Sequence, residues 1–461
     1  MLSAVTYPEQ TRYALREGVT CLTTPAGALL LNPPRNEKLS GLGSGQLQAL
    51  RTLNQGPATV SELSAGSGTE DVAGLMGRLT DGGWLSVTVR DGGRNLYSIR
   101  PFGQPPARPA TRLPWRATLS KFAVLHRDSD GFVLEHPLSW CDVRIHDPRL
   151  LSLLDGFGAA ESPLPVSIKS QLAADLHWCG FLVADPEDEE RDFATRSWNA
   201  ADLWFHRRST LGERTVTWDQ FGPTKWAKDR YPQPPARKPD YPGEPVPLAT
   251  PDLAALRAAD PTLTAVLEDR RSTRAFDDAD PITRDQLGEL LYRTARTRGV
   301  RSAGPGEELA SRPYPSGGSV YELELYPIVR HVDGLAPGMY HYDSFDHVLR
   351  PVADLDSPAV QRLLRATSAT LAEGAEPQLV LLLAARSGRV MWTYEQVAYA
   401  SILKHVGVVM QTVYLAATAM GLGACAQGFS DTAAFAVAAG VDELTECAVG
   451  SIIVGSPARD R

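Results

Sequence analysis

Three arginines and two hydroxyl side chains stand within residues 270–274, which read Arg-Arg-Ser-Thr-Arg. Guanidinium groups bind phosphate through paired N–H donors, and serine and threonine hydroxyls fill the remaining acceptor positions. Arg271 and Arg274 are three residues apart, so they share a face if the helix predicted just before them continues. A short basic run is equally typical of a solvated turn. The segment is therefore a candidate phosphate site whose interpretation depends on what accompanies it.

Two glycine-rich segments accompany the arginines. Residues 313–319 (Pro-Tyr-Pro-Ser-Gly-Gly-Ser) lead into a predicted strand, where paired glycines would let a flat ligand approach the backbone. Residues 421–428 end a long apolar helix predicted over 394–420, and a glycine C-cap is the ordinary explanation there. Each segment alone is weak evidence, because most such runs are plain turns. In combination with the arginines they indicate a cofactor site.

The composition is that of a protein with two or three domains. A chain of 461 residues exceeds the size at which one core keeps growing. The net charge of -8 argues against general binding to nucleic acids or anionic membranes, and no apolar run reaches the roughly 18–20 residues of a membrane span. Signal-peptide features are missing, and five scattered cysteines without a CxxC pair indicate neither a zinc site nor a disulfide framework. We expect a cytoplasmic enzyme or binding protein without a metal site.

The first half of the chain is predicted to contain two winged-helix units, over 1–105 and 120–190. In the first unit, a short β-pair within 19–31 precedes three helices and a hairpin with a turn at 91–93. The second unit has a similar hairpin followed by two helices, so the two units resemble a degenerate tandem repeat.

Winged helices often bind DNA, but the charge of the first unit does not favour that function. Residues 1–100 contain nine basic and eight acidic side chains, and the predicted recognition helix at 71–79 offers only Arg78 as a cation. Neutralisation of DNA phosphates would be weak. We therefore expect no nucleic-acid partner.

A proline-rich stretch separates these units from the C-terminal domain. Nine prolines fall within 218–251, so 191–250 is predicted as a connecting segment and linker. Beyond it, long amphipathic helices alternate with short apolar strands, and 251–461 is predicted as a domain of the α+β class. The long helix contains Lys404 and His405, which favours a core or dimer-interface helix over a membrane span.

Together these segments resemble the nitroreductase-like flavoproteins, and most closely the FMN-dependent azoline dehydrogenases of the SagB-like and cyanobactin-oxidase group. The resemblance extends over nearly the whole chain. It is carried by residues 202–212, 270–276, 281–293, 312–326, 338–343 and 403–425. It implies a nitroreductase-like FMN domain at the C-terminus, preceded by tandem winged-helix units.

The resemblance also implies an FMN site built by a homodimer. By match to the family's motifs, the arginine segment would hold the phosphate and ribityl chain, the Pro-Ser-Gly-Gly segment would line the isoalloxazine, and the loop after the long helix would approach the ring. The residues so implicated are Arg270, Arg271, Ser272, Arg274, Pro315, Ser316, Gly317, Gly318, Gln411, Gln427, Gly428 and Arg459. The winged-helix units would hold a leader peptide by adding a strand to a sheet edge.

One position departs from the family's pattern. The resembled oxidases carry a Lys-Tyr pair for the proton chemistry, and this chain has Thr393-Tyr394 there. Azoline oxidation needs a proton removed from the α-carbon, and threonine can neither act as the base nor tune the tyrosine at neutral pH. Three interpretations stay open. Tyr394 acts as the base with help from a cation such as Lys404 or His405, or the substrate is more acidic, or the enzyme performs a related redox reaction or has lost activity.

The sequence thus predicts a cytoplasmic, homodimeric FMN enzyme that oxidises azoline rings to azoles in a ribosomally made precursor peptide, in a family whose members work with a cyclodehydratase. Two alternatives of other classes stay open: a catalytically impaired scaffold that recruits the cyclodehydratase, and a DNA-binding regulator with a flavin sensor. Another flavin-dependent peptide dehydrogenation is a third. Loss of two mass units from an azoline peptide tests the first alternative, and a gel shift at moderate salt tests the second.

Overall fold

The polypeptide divides into two units, Met1–Thr217 and Trp218–Arg461. The computed structural model describes residues 7, 9–65, 69–110, 117–154 and 164–458. The boundary falls at the start of the proline-rich stretch, so residues 191–217 of the predicted connecting segment belong to the first unit and residues 218–250 to the second. The finer division of the first half into two winged-helix units stays a prediction.

The first unit contains short helices and a large share of strand. Its strands are β1 (Arg12–Leu15), β2 (Thr20–Thr24), β3 (Gly27–Asn32), β4 (Arg35–Ser40), β5 (Ala58–Thr59), β6 (Leu85–Asp91), β7 (Arg94–Pro101), β8 (Thr118–Leu119), β9 (Val124–Asp128), β10 (Gly131–Glu135), β11 (Cys141–Ile145) and β12 (Leu182–Val183). Its helices are α1 (Ser44–Leu53), α2 (Val60–Leu63), α3 (Thr69–Asp81), α4 (Val166–Trp178), α5 (Glu187–Arg191), α6 (Phe193–Arg196) and α7 (Ala200–Arg208), with a 3-10 helix at Pro148–Leu153.

One seven-stranded sheet joins the two stretches that the sequence suggested as separate units. Its order is β5-β1-β6-β7-β11-β10-β9, and the contact between the stretches is the antiparallel pair β7–β11. Alternate apolar residues of β6, such as Val87 and Val89, are buried, as expected for a strand with one face in the core. Both predicted hairpins, β6–β7 and β9–β10, are confirmed. The two stretches also share a single hydrophobic core.

The β-pair predicted within 19–31 is a three-stranded antiparallel sheet, in the order β2-β3-β4. The prediction missed β4, whose sequence Arg-Asn-Glu-Lys-Leu-Ser carries one buried apolar residue, Leu39. A mostly polar edge strand has too weak an alternation to be recognised from its own residues.

The second unit alternates helices and strands along the chain. Its strands are β13 (Val246–Pro247), β14 (Gly299–Gly304), β15 (Glu307–Ser311), β16 (Leu323–Val329), β17 (Gly338–Asp343), β18 (Val348–Ala353), β19 (Leu379–Ala385), β20 (Gly423–Gln427) and β21 (Cys447–Gly455). Its helices are α8 (Trp218–Phe221), α9 (Leu253–Ala259), α10 (Leu263–Asp269), α11 (Arg284–Ala295), α12 (Pro358–Ser368), α13 (Ser387–Thr393), α14 (Ala398–Ala419) and α15 (Thr432–Ala439), with a 3-10 helix at Gly317–Ser319.

An antiparallel sheet in the order β13-β18-β17-β16-β19-β21-β20 forms the middle layer of this unit. Every residue of the two central strands, β16 and β19, is buried, because helices cover both faces. Helices α11 and α14 contribute to the core on one face, and α12 and α15 contribute to the core on the other. Helices packed on an antiparallel sheet give the predicted mixture of helix and sheet.

The long helix predicted over 394–420 is α14, which begins four residues later than predicted, and a separate helix, α13, precedes it. Helix α13 ends at Thr393, Tyr394 is extended (φ -123°, ψ 152°), and α14 begins at Ala398. The break occurs because Tyr394 forms an antiparallel β-bridge with Pro223, which a helical residue could not do. Within the described residues, α14 is the one helix with the length and apolarity of a membrane span, and nine of its residues are buried, as in the core helix of a folded domain.

Candidate functional site

The arginine segment lies beyond the end of a helix. Helix α10 ends at Asp269, and Arg270 already has a non-helical conformation (φ -58°, ψ 121°). The expectation that Arg271 and Arg274 share a helical face is therefore wrong. Their side chains are exposed and that of Arg270 is partly buried, which leaves the guanidinium groups accessible to an anion.

Pairing with strand β20 fixes the extended backbone of this segment. Ser272 forms a parallel β-bridge with Ala424, and the Thr273 amide donates to the Ala424 carbonyl at 2.8 Å. The approach is close enough to require glycine at position 423, because a Cβ there would stand 2.7 Å from the Thr273 methyl carbon. Residues 272–273 are thus paired with the edge strand β20, a contact that a helical sequence pattern does not predict.

Tyr414 of helix α14 contacts the arginine segment where this segment meets β20, a place called the arginine corner below. Its hydroxyl lies 2.9 Å from the Ser272 Oγ and accepts the Ala426 amide at 2.7 Å, and the Arg270 guanidinium stands 5.3 Å from the centre of its ring. A cation over a tyrosine face is held at little cost while its N–H donors stay available. Tyr414 was not predicted as a site residue, since its position in an apolar helix suggested only packing.

The glycine segment forms a tight and strained turn. Gly318, Ser319 and Tyr321 all have left-handed backbone conformations, with φ of 61°, 55° and 47°. Non-glycine residues rarely adopt this region, and such residues concentrate at ligand sites because the surrounding structure must hold them there. The backbone of the turn is therefore strained, as is common at ligand sites, and its predicted role in lining the isoalloxazine stays a prediction.

A buried histidine and glutamate hold this turn in place. The Gly317 amide donates to Nε2 of His405 at 2.8 Å, and Nδ1 of His405 lies 2.7 Å from Oε1 of Glu322. Because Nε2 accepts a hydrogen bond, the ring proton must be on Nδ1 and the imidazole is neutral. His405 therefore positions the turn, and in this state it supplies no positive charge to its neighbours.

Glu322 also binds the other side of the turn. Its Oε2 accepts the Ser316 hydroxyl at 3.4 Å, and Ser316 Oγ in turn accepts the Tyr321 amide at 3.1 Å. Glu322 is fully buried, and a buried carboxylate is stable only when its oxygens have such partners. The sequence analysis did not single out Glu322. The available signal was a carboxylate in an otherwise apolar strand segment, which requires a specific partner.

Tyr394 lies directly over the glycine turn. A Cβ on Gly318 would stand 2.8 Å from the Tyr394 hydroxyl, and a Cβ on Gly317 would stand 3.7 Å from its ring. The two glycines therefore make room for the tyrosine as well as for a ligand. The structure brings together Tyr394, His405 and the predicted Pro-Ser-Gly-Gly segment, which are far apart in sequence.

A second tyrosine near the turn is unsuited to proton transfer. Tyr314 is buried, and burial raises the pKa of its hydroxyl to about 12, although the neighbouring Arg312 guanidinium acts in the opposite direction. A phenol with this pKa stays protonated at neutral pH. Tyr394 stays the base that the resemblance implies.

The Thr393 hydroxyl is hydrogen-bonded within helix α13. Its Oγ1 donates to the Arg389 carbonyl at 3.3 Å, which turns the side chain back along helix α13. Its own carbonyl accepts the Thr224 amide at 3.1 Å. Lys404 is exposed on α14. The cation that was expected to assist Tyr394 is therefore not the neutral His405. Among the described residues, no hydrogen bond or ion pair joins Lys404 to Tyr394.

The remaining predicted residues lie apart from the glycine turn. Gln411 is exposed on α14 and Gly428 is exposed after β20. Gln427 is buried and its amide is bound within the protein: Nε2 donates to the Thr367 carbonyl, and Oε1 accepts the Ser451 hydroxyl. The predicted role of Arg459 lies outside the described residues.

The two halves of the predicted cofactor site lie at opposite ends of α14. His405 marks the glycine turn and Tyr414 marks the arginine corner, and nine residues of helix separate them by about 13 Å. Both halves suit FMN: guanidinium and hydroxyl donors match a phosphate, and a turn without side chains matches a flat ring. The residues present therefore fit the implied cofactor.

Comparison with known proteins also indicates a flavin enzyme. The nitroreductase family profile matches residues 267–456, and the cyanobactin oxidase ThcOx profile matches residues 117–215. A Methanocaldococcus jannaschii protein that carries the name nitroreductase is 30% identical over 186 residues, which are 40% of this chain and 85% of the relative.

Two solved structures are also similar. A nitroreductase-named protein from Ralstonia eutropha is 25% identical, with 49% of this chain and 99% of the other covered and a TM-score of 0.36. The Escherichia coli microcin synthetase McbBCD complex with truncated pro-MccB17 bound is 19% identical, with 46% and 84% covered and a TM-score of 0.35. Both TM-scores lie below 0.5, so the assignment rests on the profiles and the archaeal relative. The chain belongs to the nitroreductase family, with a cyanobactin-oxidase segment ahead of its flavin domain, and is an FMN-dependent oxidoreductase.

Proposed function

We propose that this enzyme oxidises azoline rings to azoles in a ribosomally made precursor peptide. The observation that carries the proposal is the position of Tyr394 over the glycine turn, in a chain whose preceding segment matches the cyanobactin oxidase profile. Bound FMN supplies the acceptor for the two electrons. The protein's part is to hold the ring against the turn and to remove the proton from its α-carbon.

Tyr394 performs the proton transfer in this proposal. The three atoms nearest to a Cβ on Gly318 all belong to Tyr394, and the neutral His405 beneath the turn cannot take its place without giving up the bond to Gly317. A tyrosine without an adjacent cation is a slow base at neutral pH. We therefore expect either a low turnover number or a substrate whose α-proton is unusually acidic.

Incubation of an azoline-containing peptide with the FMN-loaded enzyme tests the proposal. Mass spectrometry should show a loss of two mass units per ring, and the wild-type chain should be yellow from bound FMN. Retained FMN without any mass loss, on both thiazoline and oxazoline peptides, would contradict azoline oxidation.

A catalytically impaired scaffold is the second candidate function. The observation that favours it is Thr393, whose hydroxyl is bonded to the Arg389 carbonyl rather than directed to the turn. In that case the chain binds the cyclodehydratase and raises the yield of azolines without oxidising them. Co-incubation with a cyclodehydratase, with azoline and azole products counted separately, distinguishes the two functions.

The first unit has sheet edges that suit the recognition of a leader peptide. Strand β9 ends the seven-stranded sheet, and β2 and β4 are the edges of the small sheet. An extended peptide can add a strand to such an edge through backbone hydrogen bonds. We expect a precursor peptide to have a lower KM than the same peptide without its leader, and equal KM values would remove this role from the unit.

We further propose that the enzyme is a cytoplasmic homodimer. Tyr399 and Leu403 are exposed apolar side chains one turn apart on α14, an arrangement that suits a helix contact. The separation of the two cofactor halves along α14 also fits a site shared between two copies. Mass photometry should give twice the chain mass of 49.9 kDa.

A further inference from the structure

A short segment from the start of the second unit is clamped over Tyr394. Residues 218–224, the strap, comprise helix α8 and three further residues. The Glu395 amide donates to the Gly222 carbonyl at 2.8 Å, and the Gln396 amide donates to the Phe221 carbonyl at 3.3 Å. These bonds fix the strap to the residues that follow Tyr394.

The strap is also bound to the residues that precede Tyr394. The Thr224 amide donates to the Thr393 carbonyl at 3.1 Å, and Thr224 Oγ1 donates to the Met391 carbonyl at 2.8 Å. Pro223 itself forms the β-bridge with Tyr394. The strap thus has the same fixed position relative to Tyr394 as a neighbouring strand in a sheet.

Trp218 is the side chain that the strap brings to the site. Its ring centre lies 6.2 Å from that of Tyr394, with 64° between the planes, and 6.2 Å from that of Phe221. Its ring also packs on Gly222, where a Cβ would stand 2.6 Å from the indole. The indole is therefore held from three sides in one orientation.

Burial does not account for this arrangement, because 55% of Trp218 is exposed. A fixed and exposed indole is costly in water unless a ligand covers it, and such aromatic side chains are characteristic anchors of binding sites. Trp226, farther along the chain, is similarly exposed at 51%, but its ring contacts Tyr231. It provides a matched comparison without the contact to Tyr394.

We propose that Trp218 is a specificity-determining residue that packs against the five-membered ring of the peptide while Tyr394 acts on it. The inference rests on the proposed azoline oxidation and adds a recognition element to it. The near-planar azoline ring and the aromatic azole product each offer a face to the indole, whereas an unmodified cysteine, serine or threonine residue does not. Trp218 therefore selects cyclised positions of the peptide over open ones.

Steady-state kinetics on an azoline peptide test this role with the full chain loaded with FMN. We expect Trp218→Ala to raise KM by about 3- to 10-fold, the usual worth of an aromatic pair, with kcat within about 2-fold of wild type. Trp218→Phe should recover most of the affinity, because it keeps a ring. Trp226→Ala should leave KM unchanged, and FMN content should be equal in all four proteins.

Calorimetric titration with the finished azole peptide separates this inference from the proposed reaction. Loss of azole affinity in Trp218→Ala but not in Trp226→Ala supports the recognition role, even for a protein that shows no turnover. Equal KM values and equal azole affinities in the two alanine variants would overturn it while leaving azoline oxidation intact. A wild-type chain that neither oxidises azoline peptides nor binds azole peptides would overturn both.

Discussion

In its amino-terminal half, helix α14 lies beside the hydrogen-bonded group of His405, Glu322 and the glycine turn, here called the turn end. In its carboxyl-terminal half it lies beside the arginine segment, here called the cationic end. The first end holds His405, Glu322 and the glycine turn, with each polar atom bound inside the protein. The second end holds the Arg270 segment beside Tyr414, with guanidinium groups open to solvent. The turn end is held by hydrogen bonds within the protein, whereas the cationic end presents guanidinium groups that solvent can reach.

This difference separates what identifies the cofactor from what decides the reaction. In the proposed function the cationic end binds the FMN phosphate, which many flavin enzymes share, so it is informative about family and uninformative about substrate. The turn end lies against Tyr394, so the proposed proton transfer and choice of substrate depend on it. Variants at the two ends should accordingly fail in different assays.

Replacing Tyr394 with phenylalanine should give the largest effect. We expect kcat on an azoline peptide to fall by about 10²- to 10⁴-fold, as for the loss of a general base. FMN content should not change, because the hydroxyl lies at the end of α14 away from the arginines. Tyr399→Phe, in the first turn of helix α14, is the control and should retain activity. Activity of Tyr394→Phe within a few-fold of wild type would assign the base elsewhere.

Arg270→Ala should affect cofactor affinity instead. Loss of a charge-assisted contact to phosphate should raise the FMN dissociation constant by about 10- to 100-fold, measured by equilibrium dialysis. At saturating FMN, kcat should return to near the wild-type value. Arg257→Ala, an exposed arginine of α9, is the matched control. If both variants bound FMN equally well, the phosphate would have to be held at another place.

Glu322→Ala should lower the stability of the turn end, because Glu322 binds both His405 and Ser316. It leaves the His405 and Ser316 donors buried without an acceptor, at a cost of about 1–3 kcal/mol in the free energy of unfolding. Denaturant titration measures this loss. Glu322→Gln keeps an acceptor in place and should lose less. An alanine variant as stable as wild type would show that the turn is held by its other contacts.

Thr393→Lys should give the smallest change and the most informative sign. Restoring the lysine of the resembled oxidases places a cation beside Tyr394, and we expect kcat to rise by up to about 10-fold. Thr393→Val removes only the bond to the Arg389 carbonyl and should stay near the wild-type rate. A lysine variant that is folded, holds FMN and is slower than wild type would show that this chain has adapted to work without the cation.

Local patterns predicted the elements well where hydrophobic period and turn residues agree. The β-pair predicted within 19–31 is β2–β3, and the hairpin predicted around a turn at 91–93 is β6–β7. The extended conformation of Tyr394 was not predictable, because its cause is the contact with Pro223, more than 150 residues earlier.

The site was predictable in its components and not in their arrangement. Residue types alone indicated the arginine segment and the glycine turn, since phosphate and flat rings impose simple requirements. Their placement at opposite ends of α14 depends on which residues the helix passes, such as Tyr414 and His405. The proline content of 218–251 correctly suggested little helix or strand, yet it gave no sign that this stretch binds back onto Tyr394.

The strap has a practical consequence for dividing this protein into parts. The nitroreductase profile begins at residue 267 and the proline-rich stretch looks dispensable, so a shortened flavin protein would naturally begin near 251. Such a protein would lack Trp218 and the backbone partners of Glu395 and Thr393, and its tyrosine would be uncovered. A faithful minimal enzyme has to begin ahead of Trp218. Engineers who exchange recognition units between such oxidases should therefore join the chains before this tryptophan.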